Sequence, residues 1–175
     1  MKLELRDALK RVFLIQFTVI LLSAMFVGFE FTKPVTQTFV YQGVAITVRL
    51  PILLILFLAV TVMPLVEEIL FRGPVWFAMR FRGSRNFIET SRWNFWLVIV
   101  VYGLSFGLAH YNYNFVNQLV ITVIGMLWVW LVLEYRTIWP TIFLHYLSNI
   151  VLATIELIFS PHVHEALKDI VSFTY

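Results

Sequence analysis

The stretch FVNQLVITVIGMLWVWLVL, residues 115–133, contains no charged side chain. A helix of this length spans about 30 Å, which is the thickness of the hydrocarbon core of a bilayer. The rest of the chain has the same character, since 61% of its 175 residues are hydrophobic and only 13% are charged. Such a composition is too apolar for an ordinary soluble domain and predicts a membrane protein.

Four further apolar segments are long enough to cross a bilayer, at 12–31, about 50–79, 93–110 and 139–159. Segments in lipid must satisfy their backbone hydrogen bonds internally, which favours helices. We therefore predict an all-α membrane protein, a compact bundle of about five transmembrane helices. Residues 1–175 are expected to form a single transmembrane domain in which 12–31 is an N-terminal anchor helix.

Basic residues fall in alternate connections between these segments: Lys2, Arg6, Lys10 and Arg11, then Arg80, Arg82, Arg85 and Arg92, then Arg136. Because lysine and arginine accumulate in cytoplasmic loops, a multi-pass protein of the cell membrane is expected, with a cytoplasmic N-terminus and the C-terminus on the opposite side. The net charge of +3 is then a topology signal. The lipid bilayer is the expected partner, and nucleic acid is not.

All six tryptophans lie in the cytoplasmic half of this arrangement: Trp76, Trp93, Trp96, Trp128, Trp130 and Trp139. Tryptophan is enriched at membrane–water interfaces, so they are predicted to form an interfacial belt. The segment from Arg80 to Arg92 is predicted to be a basic loop. Gly103 and Gly107 form a G-x-x-x-G pattern, which predicts close helix packing inside the bundle rather than dimerisation.

Charged side chains interrupt the second apolar segment at Glu67, Glu68 and Arg72. Each costs about 2.5 to 3.5 kcal/mol at the centre of a bilayer, so each needs a partner or a function. Glu68 and Arg72 are four residues apart and share a helix face, which predicts a structural ion pair. Glu67 is rotated by about 100° from Glu68 and must find its partner on another helix, which suits a general base.

The candidate partners of Glu67 are His110, His145 and Asn149, which also lie in apolar segments. His145 and Asn149 are four residues apart and therefore point the same way. Counting about 1.5 Å per residue from the cytoplasmic arginines, the depths of Glu67 and the two histidines spread over about 13 Å. Their convergence in one site is expected only if the helices tilt or kink.

Three motifs resemble those of the CPBP family of membrane proteins. The family includes type II CAAX prenyl endopeptidases and bacteriocin-processing intramembrane peptidases of the Abi type. EEILFR at 67–72 resembles the family's E-E-x-x-x-R motif, FGLAH at 106–110 its F-x-x-x-H motif and HYLSN at 145–149 its H-x-x-x-N motif. The resemblance runs from about Pro64 to Asn149, and the family core is expected at about 50–159.

The resemblance implies an intramembrane endopeptidase that hydrolyses a peptide bond of a peptide or a membrane-anchored protein. A glutamate and a histidine would activate water, and a histidine and an asparagine would stabilise the oxyanion. The implied catalytic residues are Glu67, His110, His145 and Asn149, with Glu68 and Arg72 in support. The oligomeric state is not indicated.

Three alternatives stay open, one of which is a small transporter or proton relay, since it would also use buried glutamate and histidine but would be expected to show broken or repeated helices. Glu67, His110 and His145 could instead bind zinc, since two histidines and one carboxylate form a known catalytic set. No H-E-x-x-H motif is present, so we expect no cofactor. The third alternative is a non-catalytic membrane scaffold or regulator of partner proteins, which includes bacteriocin immunity.

Overall fold

The computed structural model describes residues 4–27, 36–41, 44–49, 52–111 and 113–159. These residues form seven helices and one hairpin. In chain order they are α1 (Leu5–Val27), β1 (Thr36–Tyr41), β2 (Val44–Arg49), α2 (Ile52–Phe71), α3 (Gly73–Ala78), α4 (Arg82–Thr90), α5 (Arg92–Ala109), α6 (Phe115–Tyr135) and α7 (Trp139–Phe159). The predicted helical architecture is confirmed, and the hairpin is an addition that the sequence analysis did not predict.

The chain divides into two compact units. One contains Met1–Phe29 and Leu65–His145, and the other contains Glu30–Pro64 and Tyr146–Tyr175. In the second unit β1 and β2 pair antiparallel, from Thr36 opposite Arg49 to Tyr41 opposite Val44. The predicted single transmembrane domain and the extent of the family core stay predictions.

Two of the described helices, α5 and α6, are long and apolar enough to cross a membrane, and Trp139–Ile155 is a shorter apolar helical stretch. They correspond to the third, fourth and fifth predicted spans. The end of the first predicted span and both chain termini lie outside the described residues. The count of five spans and the orientation of the termini therefore stay predictions.

The second predicted span, 50–79, is not one helix. Helix α2 ends at Phe71, and α3 begins at Gly73 with Pro74 in its first turn. Proline has no N–H to donate to the preceding turn, and its ring clashes with the carbonyl four residues back, so it ends one helix and starts another. The expected loop between Arg80 and Arg92 is also wrong, because it contains α4.

Helices α5 and α6 pack closely through the two glycines of α5. A Cβ on Gly103 would overlap the side chain of Met126, and a Cβ on Gly107 would overlap Thr122. The prediction that the G-x-x-x-G pattern serves internal packing is confirmed. This contact brings the C-terminal end of α5, where His110 is the C-cap, against α6.

Candidate active site

The Glu67 carboxylate lies between two imidazole rings. Its Oε2 is 3.7 Å from Nε2 of His110 and 3.6 Å from Nε2 of His145. Among the described residues this buried oxygen has no hydrogen-bond partner. The predicted convergence of these three side chains is therefore observed. The three side chains meet although their depths, counted at about 1.5 Å per residue from the arginines, differ by about 13 Å, so that count did not measure their separation.

The second carboxylate, Glu68, contacts two groups. Its Oε1 lies 3.3 Å from a terminal nitrogen (Nη1) of Arg72 and 2.9 Å from Nδ1 of His145. Glu68 and Arg72 are both 0% exposed. The predicted ion pair is confirmed, but it is not separate from the predicted catalytic set, because His145 contacts both carboxylates.

The guanidinium group of Arg72 lies between two aromatic rings. Its central carbon is 3.9 Å from the ring centre of Phe106 and 4.9 Å from that of Trp128. Gly125 makes room for this arrangement, since a Cβ there would lie 3.0 Å from Phe106 and 3.4 Å from Arg72. Aromatic faces attract a desolvated cation, so these rings and Glu68 together accommodate the buried charge.

The hydrogen bonds of the two histidines determine which ring nitrogen carries the proton. Nδ1 of His110 is 2.8 Å from the carbonyl oxygen of Phe106, which can only accept, so Nδ1 donates. Nδ1 of His145 donates in the same way to the Glu68 carboxylate. Both rings therefore present Nε2 to Glu67.

Two residues of this region were missed in the sequence. The ring of Trp128 is 4.6 Å from that of His145, and its Nε1 donates a hydrogen bond of 3.0 Å to Oε1 of Gln16. Trp128 is only 2% exposed, so its assignment to an interfacial belt is wrong. Gln16 is equally buried. A lone amide in the first apolar segment was the available signal, because a buried amide needs a hydrogen-bond partner.

Asn149 lies in α7, four residues after His145, and is partly buried. It belongs to the second compact unit, and its part in the oxyanion hole stays a prediction. The candidate metal ligands are Glu67, His110 and His145. Within the described part of the chain, no group of three or more such side chains is arranged to hold a metal ion.

Neither a curated protein nor a solved structure matches the chain. Residues 49–151 match the family described as type II CAAX prenyl endopeptidase Rce1-like. The matched segment is more than half of the chain and includes all three motifs. The chain therefore belongs to the Rce1-like family of type II CAAX prenyl endopeptidases.

Proposed function

We propose that this protein is an intramembrane endopeptidase of the CAAX-protease type, in which Glu67 activates a water molecule. The observation that carries the proposal is the position of Glu67 Oε2, buried and 3.6 to 3.7 Å from two imidazole nitrogens. These separations are too long for direct hydrogen bonds. Oε2 therefore keeps its lone pairs for a water molecule beside the two rings.

The positions of the protons on His110 and on the water explain how the water becomes a nucleophile. Because Nδ1 of His110 donates to a carbonyl, its Nε2 is free to accept in the neutral ring. A water that donates one O–H to Glu67 and lies beside His110 keeps an oxygen lone pair for the substrate carbonyl. As the water oxygen bonds to the carbonyl carbon, its proton passes to Glu67. When the C–N bond breaks, Glu67 returns that proton to the leaving amine.

His145 is suited to stabilise the oxyanion as an imidazolium ion. In that form Nδ1 still donates to Glu68, and Nε2 carries the second proton toward the developing negative charge. With His145 charged, two carboxylates face one guanidinium and one imidazolium, so the buried group is neutral. A neutral set lowers the cost of charges in a low-dielectric site. Asn149 would supply a second donor through its side-chain amide.

We further propose that the reaction needs no metal, with zinc on Glu67, His110 and His145 as the alternative. A water-activating carboxylate leaves a role for Asn149, whereas a zinc ion would itself polarise the carbonyl. Active purified protein is expected to contain no stoichiometric zinc by elemental analysis and to keep its rate after treatment with a chelator. Stoichiometric zinc, with loss of cleavage on chelation and recovery on readdition, would contradict the metal-free mechanism.

A place in the cell membrane is supported by the surface of α5 and α6. Both helices expose large aliphatic side chains, among them Leu108, Val116, Leu119 and Val123. Apolar surface of this kind is unfavourable in water and suits lipid. We propose a multi-pass protein with a cytoplasmic N-terminus, whose substrate is a peptide or a membrane-anchored protein.

Glu67→Gln tests the proposed function, because it keeps the size of the side chain and removes the base. Cleavage of a farnesylated CAAX peptide by purified protein should fall by about 10² to 10⁴. Glu89→Gln is the matched control, since Glu89 is a half-exposed carboxylate paired with Arg136. A Glu67→Gln protein that cleaves at the control's rate would overturn the proposal.

The scaffold alternative makes a different prediction. A regulator that acts only by binding partner proteins should keep its cellular effect in the triple variant Glu67→Gln, His110→Ala, His145→Ala. Comparative proteomics of membranes from a deletion strain would separate the two functions. If the protein is an endopeptidase, an uncleaved membrane protein should accumulate in the deletion strain. Returning the unaltered gene should remove it, and returning the triple variant should not.

A further inference from the structure

Helix α1 lies outside the matched segment, 49–151, yet one of its polar side chains points into the first unit. Gln16 is 2% exposed, and its Oε1 accepts the hydrogen bond from the indole of Trp128. Burying an amide or an indole N–H without a partner costs free energy, so this contact constrains both side chains. The packing of α1 against α6 holds the two backbones on either side of it.

The Trp128 indole packs against one side of His145, with the two ring planes tilted by 42°. The two ring centres are 4.6 Å apart, and Phe106 meets the imidazole edge-on with ring centres 6.1 Å apart. The hydrogen bond to Glu68 fixes only one nitrogen of the imidazole. Without the two aromatic rings the imidazole can pivot about that bond, and Nε2 would swing relative to Glu67.

We propose that Gln16 and Trp128 are positioning residues for His145. In this view Gln16 fixes the indole, and the indole fixes the plane of the imidazole. Helix α1, the predicted anchor, then also contributes a positioning residue to the candidate active site. The catalytic part of this inference rests on the proposed function.

Kinetics of three variants test the inference: Gln16→Leu, Trp128→Phe and the double variant. Misplacement of a reacting group can cost up to about 10²-fold, so kcat should fall by about ten-fold or more, with KM unchanged. The double variant should lose no more than Trp128→Phe alone, because in this proposal Gln16 acts on His145 only through the indole. Thr18→Val on α1 and Trp130→Phe on α6 are the controls and should keep the unaltered kcat.

Stability separates positioning from a purely structural role. Gln16→Leu leaves the indole N–H unpaired and should lower the unfolding midpoint in detergent, whereas the double variant removes both partners and should regain part of it. A positioning role predicts that kcat stays low in the double variant. If kcat recovers together with stability, the inference is wrong.

Nitrogen-15 spectra of histidine-labelled protein report on the ring without any substrate. His145→Gln and His110→Gln variants assign the imidazole signals. Gln16→Leu should shift the signals of His145 and leave those of His110, which has its own contacts, unchanged. Unchanged His145 signals would overturn the inference. If the unaltered protein cleaves no substrate, the proposed function and the catalytic part of this inference are both wrong. The spectra still test whether Gln16 and Trp128 position the His145 ring.

Discussion

Neighbouring carboxylates in this chain have different surroundings. Glu67 meets two imidazole nitrogens at 3.6 and 3.7 Å, and Glu68 meets Arg72 at 3.3 Å and His145 at 2.9 Å. Helical periodicity separates the two side chains by about 100° and so divides their tasks. His145 joins them, because each of its nitrogens faces a different carboxylate.

The charge of Glu68 should matter for stability as well as for catalysis. Glu68→Gln removes the counter-charge of a fully buried Arg72, which typically costs about 3 to 5 kcal/mol in the free energy of unfolding. Glu89→Gln breaks a half-exposed pair with Arg136 and should cost at most about 1 kcal/mol. Denaturant unfolding in detergent compares the two. Equal losses in the free energy of unfolding would mean that the Glu68 carboxylate is not the counter-charge of Arg72.

The pairing of Glu68 with Arg72 and the need of Glu67 for outside partners could be predicted from the sequence, since both follow from positions on one helix. The location of Trp128 could not. A tryptophan near the end of an apolar segment is typical of an interface, and only the packing of α1 against α6 shows that this one is buried.

At the scale of helices, the contact between α5 and α6 sets the position of His110. Gly107 precedes this histidine by three residues and allows α5 to lie directly against Thr122 of α6. Helix α2, which carries Glu67, ends at Phe71, and a separate helix, α3, begins at Gly73 with Pro74 in its first turn. The two prolines of this apolar segment behave differently, since Pro64 lies inside α2 and Pro74 begins α3, and the sequence alone does not tell which of them ends a helix.

Gly107→Ala should therefore weaken both the fold and the site. The added methyl group overlaps Thr122, and overpacking of this kind costs about 1 to 3 kcal/mol. Gly83→Ala is the control, because nothing lies within 4 Å of its Cβ position in α4. The unfolding midpoint and the cleavage rate should both drop for Gly107→Ala. A variant as stable and active as the control would contradict the close-packing account.

At the scale of the whole molecule, the three motifs and the family match both indicate a peptidase of the CAAX-protease type. The three motifs supply Glu67, His110 and His145 from α2, the end of α5 and α7, and the first unit brings these side chains together. The sequence predicted these residues and their helices. It could not predict the hairpin or the contribution of α1, because the hairpin lies between predicted spans and the α1 contact joins residues 112 positions apart.

The central claim is that water held by Glu67 attacks the peptide bond directly. A single turnover in oxygen-18 water, with enzyme in excess over a farnesylated CAAX peptide, tests it by mass spectrometry of the new carboxylate. Direct attack predicts one heavy oxygen in the product of this first turnover and none in the protein. A product without heavy oxygen, together with label on Glu67, would show a covalent glutamyl intermediate and contradict the account.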